Sequence, residues 1–184
     1  MNPTTPVTLG ASHLGDRPGA AELADALLAS GRGGIDTSNG YTGGRSETLL
    51  GDAIRRAGGI PAGTAIYSKA DRDPDSGVFD GDRVRRSLEE SLTRLGVDRL
   101  PVYHLHDPYT ITFAHAMAPG GAVEALTALR DEGVIGAIGI ASGTMAEVHR
   151  YVDTGAFERC CRTTGSPSST ARRSPRSAWP GAWA

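Results

Sequence analysis

Cysteine is missing before Cys160 and tryptophan before Trp179. A body without cysteine has no disulfide framework, and the adjacent Cys160 and Cys161 are poorly placed to bridge each other. Lysine is almost as scarce: Lys69 is the only one among 19 basic residues. No apolar run approaches the roughly 18 residues that would suggest a membrane span. The formal net charge of -2 offers no surplus for nucleic acid or an anionic membrane. The opening MNPTTPVTLG has neither the basic nor the apolar stretch of a secretory leader. These absences predict a cytoplasmic protein without nucleic-acid or membrane partners, and 184 residues fit one domain. The sequence does not speak to oligomeric state.

What is present is an alternation. VTLGAS (7–12) reads as a strand, 20–30 as a helix closed by Gly31, and GGIDTS (33–38) as a strand. Ser46 is placed to cap the next helix, which ends at Gly58 and Gly59. AIYSK (65–69) is a strand. From Asp82, Val84, Leu88, Leu92 and Leu95 mark one face of a helix that Gly96 ends. LPVYHLH (100–106) is a strand, 122–132 a helix, IGAIGIAS (135–142) a strand and 144–154 a helix. Five β-then-α units predict parallel strands. Their regular spacing suits a TIM-type (β/α)8 barrel, here incomplete. A doubly wound sheet alternates similarly, but no GxGxxG follows the first strand.

In a parallel barrel the strand C-termini open on one face, where the chemistry sits. Asp36 ends the second strand, Tyr41 follows it, Lys69 ends the third and His106 the fourth. Taken alone, DTSNGY reads better as a polar turn capped by Asp36. As a set the four are coherent. A phenol is a slow acid near neutrality, an ammonium beside it favours the phenolate, a carboxylate holds that ammonium, and an imidazole positions a carbonyl oxygen. A second reading pairs His104 with His106, since i and i+2 share a strand face and metal-dependent barrel hydrolases use such an HxH. It needs further ligands, and only His115 and His149 come later.

GIDTSNGYTGGRSETLLGDAI resembles the aldo-keto reductase signature, in which tyrosine follows an aspartate by five residues and Ser-Glu opens a helix. AIYSK resembles that family's lysine strand, SLEESLTRLGVDRLPVYHLHDP its histidine segment and LRDEGVIGAIGIAS the segment beside the nicotinamide. The likeness spans residues 7 to 157. YSKADRD and LHDP look most like the aldose or fucose dehydrogenase branch. The resemblance implies an oxidoreductase using NADP or NAD on a small carbonyl or sugar, with Asp36, Tyr41, Lys69 and His106 catalytic. It places Gly10, Ala11, Ser12 and Ser142 at the cofactor and requires no metal. Ala141 stands where serine is common, Pro101 replaces a common strand aspartate and His104 a usual aliphatic residue.

After Phe157 the pattern stops. Up to that residue there are 14 basic and 20 acidic residues; beyond it there are five arginines and one acid, Glu158. RCCRTTGSPSSTARRSPRSAWPGAWA has no period of 2 or 3.6 and reads as a disordered tail, 158–184, attached to a partial barrel, 1–157. Read out of frame, with third bases free, its codons spell Asn-His-Arg-Phe-Thr-Leu-Val-Asp-Arg-Ser-Ala-Glu-Pro. That string resembles the family's sixth strand and following loop. A frameshift between Phe157 and Cys160 is therefore expected, with no activity from the truncated chain. The competing reading is a fragment without function, a pseudogene product or sequencing artefact. Nothing marks a binding or scaffolding surface.

Overall fold

The computed structural model describes residues 7–31 and 33–161. Six strands form one sheet in chain order, every neighbouring pair parallel: β1 (Val7–Gly10), β2 (Gly33–Asp36), β3 (Ala65–Ala70), β4 (Tyr103–His106), β5 (Ile138–Ala141) and β6 (Arg159–Cys161). The sheet curls into part of a (β/α)8 barrel. The helices are α1 (Ala20–Ala29), α2 (Arg45–Ala57), α3 (Gly81–Leu95), α4 (Phe113–Met117), α5 (Ala122–Asp131) and α6 (Met145–Val152). α1, α2, α3 and α5 pack side by side outside the sheet.

Alternation along the strands divides the sheet into two faces. Ile35, Ile66, Tyr103, Leu105, Ile138 and Ile140 point outward into the core with Leu50, Val84, Leu88 and Leu126 of the helices. Inward residues are smaller or polar. Gly139, for example, leaves room for the His104 imidazole, which a β-carbon there would meet at 2.2 Å. Gly51 lets α2 approach α3 so closely that a β-carbon would lie 2.0 Å from the Arg94 carbonyl oxygen.

Three local expectations change. Ser46 does not cap α2: Gly44 holds that position. Ser46 Oγ instead donates to the Ala11 carbonyl at 2.9 Å and meets Thr37 Oγ1 at 2.9 Å, joining α2 to the ends of β1 and β2. Tertiary hydrogen bonding outcompetes the local cap. α3 starts at Gly81 because Asp80 accepts the Arg83 backbone N–H at 2.8 Å. β4 starts at Tyr103 rather than Leu100, and Leu100 makes only an isolated bridge to Ile135. Pro101, between them, has no N–H to donate to a ladder.

A sixth strand joins the five expected. Arg159–Cys161 extends the sheet along β5 although its sequence has no strand period. Ladder pairing uses the backbone, so three residues delivered beside an open edge can add to it. Residues 162–184 of the expected tail lie outside the described residues. Among the described residues no helix is long and apolar enough to cross a membrane.

Candidate active site

The C-terminal ends of β2, β3 and β4 bring Asp36, Lys69 and His106 to one edge. Tyr41 arrives on a 3-10 turn, Tyr41–Gly44, just after β2. Lys69 is fully buried and its ammonium has three partners: Asp36 Oδ1 at 2.5 Å, the Thr37 carbonyl at 2.6 Å and the Tyr41 hydroxyl oxygen at 3.1 Å. All three ammonium protons are thereby used. Burial pushes the Lys69 pKa down, but Asp36 and Tyr41 outweigh burial and the net direction is up, so the cation persists.

The Tyr41 ring meets the His106 ring edge-on, with centroids 5.5 Å apart. The phenol behaves differently from the simple ammonium argument. Burial raises its pKa, Lys69 lowers it through charge and hydrogen bond, and burial wins. The hydroxyl is held neutral, accepting from Lys69 with its own proton free. A group leaving as phenolate would still do so beside a fixed cation.

Several residues around this set were not singled out in the sequence. His106 Nδ1 lies 2.6 Å from Asp71 Oδ1 and 3.1 Å from Ser38 Oγ, and Ser38 donates to Asp71 Oδ2 in a short hydrogen bond. Asp71 follows Lys69 by two residues and lies just beyond the end of β3 at Ala70. Asn39 anchors the Tyr41 loop. Its amide donates to the Ser87 carbonyl (3.1 Å) and Glu90 (2.9 Å), its side-chain oxygen accepts from Arg83 (3.0 Å), and its carbonyl accepts from Arg94 (3.0 Å). Arg94 also pairs with the buried Glu47, to which Ser68 donates at 2.6 Å. Burial raises the Glu47 pKa against those bonds. The loop carrying Tyr41 is thus tied to α3 through polar groups, which a hydrophobic pattern does not reveal.

The four residues expected at a cofactor divide. At the end of β1, Ala11 is buried while Gly10 and Ser12 are exposed, and a β-carbon on Gly10 would meet nothing within 4 Å. Ser142 is fully buried. Its hydroxyl donates toward Glu147 (3.2 Å), accepts the Thr144 N–H (3.2 Å) and lies 3.2 Å from the Tyr109 hydroxyl, which also takes the Gly143 N–H (2.9 Å). The Ser142 hydroxyl is thus engaged by protein groups on every side that the structure describes.

His104 and His106 do share the inward face, but not as a metal pair. His104 Nδ1 faces the Ser68 carbonyl at 3.3 Å, and burial drives its pKa down to about 4. His115 and His149 are exposed on α4 and α6. Among the described residues no three His, Cys, Asp or Glu side chains are grouped to hold a metal ion.

A sequence model of the aldo/keto reductase family matches residues 6–158. The chain belongs to the aldo-keto reductases. L-galactose dehydrogenase of Arabidopsis thaliana is 33% identical over 153 residues, covering 79% of this chain and 47% of its own. Human aflatoxin B1 aldehyde reductase member 4 is 38% identical over 104 residues, covering 54% of this chain and 31% of its own. A solved aldo-keto reductase from Pseudomonas aeruginosa superposes with a TM-score of 0.63 at 31% identity, over 79% of this chain and 59% of that one. This aldo-keto reductase chain therefore spans half or less of the two curated relatives. Family membership also removes the metal-hydrolase reading: these relatives are a dehydrogenase and a reductase, and the second histidine of the HxH is the one that meets Tyr41.

Proposed function

We propose that the chain carries the catalytic front of an NAD(P)-dependent oxidoreductase that reduces a small carbonyl or, in reverse, oxidises an aldose. The observation that carries this reading is the polarity of the Lys69–Tyr41 hydrogen bond. Lysine can only donate, so Tyr41 accepts and points its own proton away from Lys69. A carbonyl oxygen placed between Tyr41 and His106 receives that proton while its carbon receives hydride, giving the alcohol. The hydride comes from the nicotinamide dinucleotide when it is bound. Lys69 stabilises the phenolate left on Tyr41, Asp36 holds Lys69 charged and in place, and His106 orients the substrate. Gly10, Ala11, Ser12 and Ser142 would hold the nicotinamide end of the cofactor, Ser142 through a hydrogen bond to its carboxamide.

The family match ends at residue 158, which supports a shifted reading frame between Phe157 and Cys160. On this reading residues after the shift no longer encode the family's sequence, and the frame-restored chain is the one expected to turn over substrate. Resequencing the gene around Phe157 tests the frame. The function is tested by expressing the frame-restored chain beside the 184-residue one and following NAD(P)H against aldehydes and aldoses. Turnover by the restored chain is expected without added metal. A restored chain that folds and binds NAD(P)H, yet turns over no carbonyl or aldose, would overturn the proposal.

A further inference from the structure

We infer that Asp107 selects substrates by charge: it excludes carbonyl compounds with a carboxylate beside the reacting carbon, 2-oxo acids among them, and admits those with a neutral or cationic group there. Charge pairing at the strand ends leads to this. Three carboxylates, Asp36, Asp71 and Asp107, meet two groups able to carry positive charge, Lys69 and His106. Asp36 Oδ1 takes Lys69 at 2.5 Å, and Asp71 Oδ1 lies 2.6 Å from His106 Nδ1. Asp107 is the carboxylate left over, its Oδ2 3.7 Å from His106 Nε2. The negative excess does not depend on how His106 titrates, because even an imidazolium is already matched by Asp71. Two neighbours add no charge: burial drives the His104 pKa down to about 4, and it keeps Tyr41 as the phenol.

The backbone fixes Asp107 in this place. Its N–H donates to the Ala141 carbonyl at 2.8 Å and its carbonyl accepts the Tyr109 N–H at 2.6 Å. Its φ is 39°, a left-handed value that aspartate and asparagine tolerate better than most residues. Asp107 Oδ1 is buried with no hydrogen-bond partner among the described residues. A buried acceptor without a donor costs stability. A left-handed backbone and an unmet acceptor thus hold a carboxylate against the histidine that orients the substrate. A second carboxylate brought beside His106 would face Asp107 at close range, and like charges in a partly desolvated site repel strongly. A neutral group meets no such repulsion, and an ammonium is attracted. That the selected molecule is a substrate rests on the oxidoreductase reading above; the charge preference belongs to the site itself.

The preference is read without turnover, by NMR titration of the histidine-labelled 184-residue chain with benzylamine and with benzoate. At about pH 7.5 the first is a cation and the second an anion. Benzylamine should shift the His106 ring signals at concentrations about tenfold or more below those that benzoate requires. Asp107→Asn keeps the shape and suits the left-handed backbone, and it should reduce that ratio about tenfold. A wild-type response to benzylamine no stronger than that to benzoate overturns the inference, as does an unchanged ratio in folded Asp107→Asn. Should the variant fail to fold, the wild-type ratio alone decides. In the frame-restored chain, the kcat/KM ratio of methyl pyruvate to pyruvate should fall about tenfold or more on Asp107→Asn. The intrinsic reactivities of the two ketones cancel in that comparison, so an unchanged ratio also overturns the inference. A restored chain that turns over no carbonyl defeats the oxidoreductase reading, while the titration still judges Asp107, and the two proposals fail separately.

Discussion

The two faces of the sheet are made by the same strands and do opposite work. Outward, β2 to β5 present Ile35, Ile66, Leu105, Ile138 and Ile140, all buried against helices. Inward, they present Asp36, Lys69, His104 and His106: Lys69 pairs with Asp36, His104 faces a backbone carbonyl, and His106 meets Asp71 and Ser38. Burial stabilises the first face by removing apolar surface from water. On the second face burial would cost heavily if any partner were missing, and it is this cost that specifies the geometry. The same loss of solvent therefore produces adhesion on one side and directed hydrogen bonds on the other.

Substitutions on each face should separate turnover from stability. The largest expected effect is on the inward side. Tyr41→Phe in the frame-restored chain should lower kcat by about 10²–10⁴-fold, the usual contribution of a positioned acid. Cofactor affinity should barely move, while the melting temperature should fall, because the Tyr41 oxygen is one of the three acceptors of the buried Lys69 ammonium. Steady-state kinetics and a dinucleotide titration check both halves, and a parallel loss of affinity would place the phenol at the cofactor.

Leu105→Ala tests the outward side, one strand position from His106 and so on the opposite face. It should cost about 2–5 kcal/mol of unfolding free energy, because Leu105 is fully buried between sheet and helices. Urea unfolding measures it. A cost under about 1 kcal/mol, well short of a typical leucine cavity, would mean that the outer core is loosely packed.

His104 should make stability depend on acid. Its folded pKa of about 4 lies below the ordinary 6.5 of the unfolded chain, so the unfolded state binds the extra proton first. The stability is fully present above pH 6.5 and is lost as pH falls toward 4, by up to about 3 kcal/mol at 1.36 kcal/mol per unit. The difference between wild type and His104→Leu across that window isolates this group from the titrating carboxylates. A pH-independent difference would show the imidazole to be solvated.

The smallest effect belongs to a surface away from both faces. Asp80→Ala removes the side-chain cap of α3 and should cost about 1 kcal/mol, read from the same urea curves. Since α3 supplies Arg83 and Arg94 to the Tyr41 loop, a larger loss would couple the cap to the site.

Much of this was legible in the sequence, for physical reasons that differ by feature. The alternation of strands and helices was readable because apolar periodicity and glycine stops are local, as at Val84, Leu88, Leu95 and Gly96. Lys69 stood out because a lone lysine among arginines is a compositional fact. Asp36, Tyr41, Lys69 and His106 could be grouped because parallel strands must present their C-termini together. Asp71, Ser38 and Asn39 could not, since short polar side chains near turns are common and only their partners distinguish them.

The sequence by itself determined the alternation of β1 to β5 with α1, α2, α3, α5 and α6, and the edge at which the chemistry-bearing side chains emerge. These follow from chain connectivity and from the alternation of side chains along a strand. Only the tertiary structure decided where the protons sit. Ser46 left its local cap for Ala11 and Thr37, burial outweighed Lys69 at the Tyr41 phenol, and Ser142 was spent on Thr144 and Glu147. Hydrogen-bond direction and desolvation depend on atoms brought together from distant positions, and a linear pattern carries neither.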